Sequence, residues 1–157
     1  MVTKEEILQE IISHYQNERE TLESIAEETK KGTTGDEVKQ EGKYDTRAIE
    51  AGYLAGAQAR RVEETKLNLT KARSFKILQN NGSVSVGSLL KLRDLDEKEL
   101  MYFISPTESG FYSKKLKLHI ISYNSPIAQE AINLSTGDTF EVIIPSGTKE
   151  FEIIEIL

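Results

Sequence analysis

The sequence predicts an α+β protein in which an antiparallel helical hairpin comes first and a small sheet domain follows. Three observations carry that reading. Thr3 to about Lys31 and Asp45 to about Leu78 contain no Pro and only two glycines, Gly52 and Gly56. The pattern switches after Gly82 to short β-type runs separated by turn signals. The two helical stretches also carry opposite charge: residues 4–31 hold four basic and eight acidic side chains, whereas residues 60–76 hold six basic and two acidic.

The first helix opens on Thr3-Lys4-Glu5-Glu6, a capping box in which the Thr3 hydroxyl accepts the Glu6 amide and the Glu6 carboxylate reaches back. Leu8, Ile11, Tyr15, Glu18, Leu22, Ile25 and Thr29 then recur at alternating spacings of three and four, a coiled-coil seam broken only by Glu18. Lys30, Lys31 and Gly32 close the helix, cations on its negative end and a glycine able to take positive φ. Residues 32–43 form the tip of the hairpin. Ala48, Ala51, Ala55, Gln58, Val62, Thr65, Leu69 and Ala72 repeat the seam in the second helix, with the small residues nearest the tip, where they let the helices approach closely. Arms of about 30 residues reach about 45 Å at 1.5 Å per residue, longer than the core of a small domain requires.

The expected strands are Leu89–Leu92, Leu100–Ile104, Leu116–Ser122, Thr139–Ile144 and Glu150–Ile156. Ser125-Pro126 starts a short helix, Ser as N-cap and Pro at the first position, with Ala128, Ala131 and Ile132 as its apolar face. The polar stretch Ser105 to Ser113 reads as an exposed loop. The domains are therefore drawn at 1–78 and 79–157.

Composition narrows function. The 157 residues are 38% apolar and 29% charged with net charge −6, which fits folded domains and excludes collagen-like or disordered chains. No apolar run approaches the roughly 20 residues a bilayer span needs, so no membrane partner is expected. With no Cys there is no disulfide scaffold, thiolate nucleophile or cysteine-ligated zinc. Met1 to Glu20 lacks a secretory segment, and a cytoplasmic location is expected. Net acidity disfavours binding to free duplex DNA, and no sequence-specific DNA binding by the chain alone is expected; any nucleic-acid contact must be local. His14 and His119 fall in different domains and read as surface or packing residues. No nucleotide loop or Ser-His-Asp order supports an independent hydrolase.

The tail carries Ser122-Tyr123-Asn124-Ser125-Pro126-Ile127-Ala128, then Thr136-Gly137-Asp138, Val142, Pro145-Ser146-Gly147 and Phe151-Glu152-Ile153-Ile154. Together with Val86-Gly87-Ser88, Leu92, Gly35-Asp36, Tyr44 and Gly52, these resemble the bacterial transcript-cleavage factors of the GreA/GreB type. The resemblance spans nearly the whole chain, strongest in the last third and patchy at the tip. It implies an FKBP-like tail domain that docks on RNA polymerase and a coiled coil that enters the polymerase secondary channel. It also implies tip acids that help hold a magnesium ion shared with the polymerase, none being bound by the chain alone. The polymerase then hydrolyses backtracked transcripts near the nascent RNA 3′ end. On that reading the chain is a monomeric transcription elongation factor, an accessory to the polymerase rather than an enzyme. Ser125, Pro126 and Ile127 are candidate docking residues, although a cap plus core packing explains them equally.

The tip departs from the family's D-x-x-E spacing. Counting from Asp36 puts Lys39 at the second position, and counting back from Tyr44 puts Glu37 and Gln40 at the two positions. The interval from Asp36 to Tyr44 is one residue longer than in the family. Asp36, Glu37 and Glu41 are therefore the available catalytic and metal-holding carboxylates, with Tyr44 stacking beside them or sealing the hairpin end. An alternative is a Gre-like channel-binding regulator or inhibitor that does not stimulate cleavage. Asn133-Leu134 stands where the family often has Gly-Lys. Arg60, Arg61, Lys66, Lys71, Arg73 and Lys76 are read as pairing with the acidic first helix in preference to contacting RNA. Other readings are an FKBP-like peptide-binding or prolyl isomerase module, its pocket drawn from Tyr102, Phe103, Phe111, Tyr112, Tyr123, Phe140 and Phe151, and a coiled-coil adaptor that dimerises.

Overall fold

The computed structural model describes residues 1–33, 46–79 and 81–157. Helices α1 (Lys4–Thr33) and α2 (Thr46–Ser74) form the antiparallel hairpin. The capping box is present in both directions, Thr3 N donating to Glu6 Oε2 at 2.8 Å and Glu6 N donating to Thr3 Oγ1 at 3.1 Å. Those bonds hold the Glu6 carboxyl below its ordinary pKa. α2 stops at Ser74 rather than near Leu78. Phe75 leaves the helix and its ring lies over Gly87, where a Cβ would stand 2.8 Å from the ring. Gly87 also has φ +90, so only glycine suits that position.

Strands β1 (Leu89–Asp94), β2 (Glu99–Ser105), β3 (Phe111–Ser113), β4 (Leu118–Ser122), β5 (Thr139–Ile144) and β6 (Gly147–Ile156) make one sheet, with α3 (Pro126–Ala131) between β4 and β5. The spatial order is β3-β4-β2-β1-β6-β5, and only the β2–β4 pair is parallel. The parallel pair follows because the chain crosses from β2 to β4 through β3, which folds back onto the outer edge. Gly110 permits this turn: a Cβ there would collide with the Ile120 carbonyl.

Both faces of the sheet are covered, and strand alternation assigns each residue to a face. One face sends Leu90, Leu92, Tyr102, Ile104, Val142 and Ile153 against Ala128 and Ala131 of α3. The other sends Leu89, Phe103, Leu118 and Ile120 against Ile7, Ile11, Tyr15, Leu69 and Ala72 of the hairpin base. Each large apolar side chain so buried contributes about 1.5–3 kcal/mol, and that is what joins the hairpin to the sheet.

Three expectations need correction. Residues 105–113 are an exposed loop only at 108–110: they also include β3, and Ser105, Thr107 and Ser113 are buried because they find hydrogen-bond partners. The inner seam is led by Ile7, with Leu8 only half-buried, because the sheet covers the hairpin on that side. The outer seam does not close: Ala48, Ala51 and Ala55 are exposed, Ile25 is 42% exposed, and nothing lies within 4 Å of a Cβ placed on Gly52 or Gly56. Alanine methyls offer too little area to hold the arms together there.

Candidate functional site

Asp36, Glu37, Glu41 and Tyr44 lie outside the described residues. What the structure does describe is the hairpin on either side of them and the way its base is held.

At the base, α1 and α2 are joined to the 105–110 loop by polar contacts that range from buried to exposed. The Tyr15 hydroxyl donates to the Ser109 carbonyl at 2.8 Å and lies 3.3 Å from Thr107 Oγ1. Ser105 and Thr107 hydroxyls meet at 2.6 Å. From α2, Asn68 Oδ1 accepts the Glu108 amide at 2.8 Å, and Lys71 pairs with the Glu108 carboxylate at 2.6 Å. That hydrogen bond raises the Lys71 pKa, and the ammonium also stands 5.7 Å from the Tyr123 ring centre. Each half of the hairpin is thus tied separately to one loop, which sets the direction in which the arms leave the sheet. Neither Asn68 nor the loop hydroxyls stood out in the sequence. The one available signal was an Asn beside a coiled-coil seam, a residue that seldom sits in a helix without a polar partner.

His14 stacks on Phe111 with ring centres 3.6 Å apart and meets Tyr15 edge-on. Burial lowers its pKa against the opposing pull of Glu18 and Glu10. His119 stacks on Tyr102, so both histidines serve packing.

The basic set is divided. Arg61 reaches Glu18 across the hairpin at 3.4 Å, which accounts for the charged break in the first seam. Lys66 instead pairs with Glu63 of its own helix, Lys71 with Glu108, and Arg73 donates to the Gln16 amide oxygen at 3.4 Å. The expected pairing with acidic α1 therefore holds for Arg61 but not for Lys66 or Lys71, because α2 turns those two positions toward its own flank and the loop.

Ser125 caps α3, its hydroxyl accepting the Ala128 amide at 3.3 Å, with Pro126 in the first turn. Ile127 packs half-buried on the core while Pro126 is exposed. Asn124 N to Ser122 Oγ and Gln129 Nε2 to the Tyr123 carbonyl brace the same segment. A surface trough of about 390 Å³ runs from Glu108 past Phe111, Tyr112 and His119 to Ser125, so the cap and the loop that clasps the hairpin share one surface. Four of the aromatics considered for a peptide pocket, Tyr102, Phe103, Phe140 and Phe151, are instead buried in the two cores. Among the described residues no cluster of three His, Asp or Glu side chains fit to hold a metal occurs, and no helix is long and apolar enough to cross a membrane.

These features define a class of protein: a long helical hairpin rigidly mounted by its base on a small mixed sheet. The family model described as "Transcription elongation factor, GreA/GreB, C-term" matches residues 79–157. Transcription elongation factor GreA of Vibrio vulnificus is 33% identical over 132 residues, 83% of this chain and 78% of that one. The same-named protein of Haemophilus ducreyi is 28% identical over 96% of this chain and 91% of its own length. A crystal structure of GreA factor homolog 1 (Gfh1) of Thermus thermophilus aligns at 18% identity and TM-score 0.40, covering 96% of this chain and 94% of that one. The chain belongs to the GreA/GreB family of transcription elongation factors.

Proposed function

We propose that this protein binds bacterial RNA polymerase through its secondary channel, as an accessory to the polymerase active site rather than an enzyme itself. Residues 79–157, with Ser125, Pro126 and Ile127 at the contact, dock on the polymerase. Residues 1–78 carry the tip to the nascent RNA 3′ end. The observation that supports this most is a hairpin of about 45 Å fixed at its base by a buried apolar cluster and a partly buried set of hydrogen bonds, in a chain of this family. A thin arm positions an end group only if its root cannot pivot.

Asp36, Glu37 and Glu41 supply carboxylate oxygens, the hard ligands Mg²⁺ prefers, and the tip shares that ion with the polymerase instead of binding it alone. When bound there, such an ion would supply activation of a water for hydrolysis of the backtracked transcript. The protein's part is to bring the carboxylates to the site. It works as a cytoplasmic monomer.

The deciding experiment is transcript cleavage on a stalled, backtracked elongation complex, comparing wild type with Asp36→Ala, Glu37→Ala and Glu41→Ala. Cleavage by wild type, abolished in one variant, identifies the metal-holding acid. The altered acid spacing before Tyr44 favours a second reading, a channel-occupying regulator without cleavage stimulation. Tight binding with no cleavage by any form selects it. Failure to bind core polymerase overturns both.

A further inference from the structure

On the face opposite the hairpin, the sheet carries a row of aromatic rings whose outer end is uncovered and borders the trough that reaches Ser125. Strand register puts Tyr102 of β2 beside His119 of β4, and Tyr112 of β3 on its other side. Ring centres are 5.0 Å apart for the first pair and 4.8 Å for the second. Tyr102 is 7% exposed, but Tyr112 is 50% exposed because β3 is the last strand of the sheet.

Beside the two outer rings is an open cavity of about 440 Å³, lined by Lys98, Glu99, Leu100, Tyr112, Lys117 and His119. That volume lies within the range of about 300–1,000 Å³ usual for small-ligand sites. Glu99 is turned to Lys91 at 2.6 Å, so its charge is already met. Lys115 reaches Glu10 at 3.6 Å, whereas no ion pair among the described residues engages Lys98, Lys114 or Lys117. Free cations thus gather at one edge of a chain whose net charge is −6. Burial, then Lys98, lowers the His119 pKa, so this ring is an uncharged stacking surface at neutral pH.

We propose that Tyr112 and His119, with Lys98 and Lys117, form a binding site for single-stranded nucleic acid, a base stacking on the Tyr112 ring while the lysines meet the adjoining phosphates. Lysines alone serve any anion. Exposed rings beside them favour a strand whose bases are free to stack, since every base has a π-face and a duplex hides its own. Of the other basic stretch, on α2, Arg61, Lys66 and Lys71 already meet carboxylates, which leaves this edge the better match for a polyanion. The site is separate from the tip acids and is tested without polymerase, so its failure leaves the proposed function standing.

The test is fluorescence anisotropy of a labelled single-stranded RNA of about 12 nucleotides, a length within the range of small single-strand sites, titrated with the full-length protein at low salt. A saturable rise is expected. Tyr112→Ala should weaken it at least about fivefold, the lower end of what one base–aromatic stack supplies. The Lys98→Glu, Lys117→Glu double variant should weaken it further and flatten its salt dependence. Arg60→Glu on the hairpin should leave it unchanged. All four side chains are exposed or half-exposed, and unchanged melting temperatures will verify folding. The proposal is overturned by absence of a saturable rise, by undiminished affinity of Tyr112→Ala, by loss in Arg60→Glu alone, or by equal binding of a labelled oligoglutamate peptide, which would make the edge a dock for an acidic protein segment.

Discussion

The inner and outer halves of the hairpin share one spacing of seam residues and end in opposite environments. Near the sheet, Ile7, Ile11, Tyr15, Leu69 and Ala72 are 0–3% exposed. Farther out, the seam residues Ile25, Ala48, Ala51 and Ala55 are exposed, as are Ile49, Tyr53 and Leu54 beside them. Two helices alone bury a narrow stripe, and a third surface is needed to cover a whole side chain; the sheet face provides it only at the root. The root therefore carries the stability, and the outer arm is left free of packing duties.

Substitution of a tyrosine in each half would break this comparison most sharply. Tyr15→Ala removes a buried ring and its hydrogen bond to the Ser109 carbonyl, and it should cost about 3–5 kcal/mol, a fall in Tm of roughly 10 °C by thermal unfolding. Tyr53→Ala in the outer half should stay within about 0.5 kcal/mol of wild type. Equal losses in the two would show that the outer arm is packed after all.

Tyr15→Phe separates ring from hydroxyl. It keeps the packing and removes the bond to the Ser109 carbonyl, for an expected loss of about 1–2 kcal/mol in urea unfolding. No loss would mean that apolar burial alone fixes the hairpin. Ser125→Ala, at the other end of the shared surface, should cost about 1 kcal/mol by removing the α3 cap. If polymerase binding falls while stability does not, the serine acts by contact rather than by capping.

The smallest effect concerns pH. His14 has a folded pKa below its unfolded value, so the unfolded chain takes up a proton first as pH drops. Its contribution is present above the ordinary histidine pKa near 6.5 and is lost on acidification through that value towards the lowered one. A melting series from neutral to mildly acidic pH should show declining stability, and His14→Gln should reduce the slope. An unchanged slope would assign the decline to His119, whose pKa is lowered in the same direction.

Features made from neighbours in the chain were legible beforehand. The Thr3–Glu6 box, the Ser125-Pro126 start of α3 and the unbroken apolar run of Leu100 to Ile104 all rest on partners a few residues apart or on local composition. The 105–113 segment was misjudged because polarity implies exposure only when no partner waits inside, and here the partner, Tyr15, is 92 residues away from Thr107. The expected pairing of Lys71 with α1 went astray for a related reason: charge totals on two helices do not say which acid each lysine faces. The candidate acids were legible as chemistry from Asp36, Glu37 and Glu41, yet spacing in a tip cannot specify their mutual geometry.

By itself the sequence determined the three helices and five of the six strands, and where the helices begin, since propensity, capping and periodicity act within a few residues. Only the tertiary structure decided how far along the hairpin the seam is buried, which loop clasps its root, and that three rings from separate strands line up at an uncovered sheet edge. Those outcomes depend on which surfaces meet, and a surface is assembled from residues far apart in the chain.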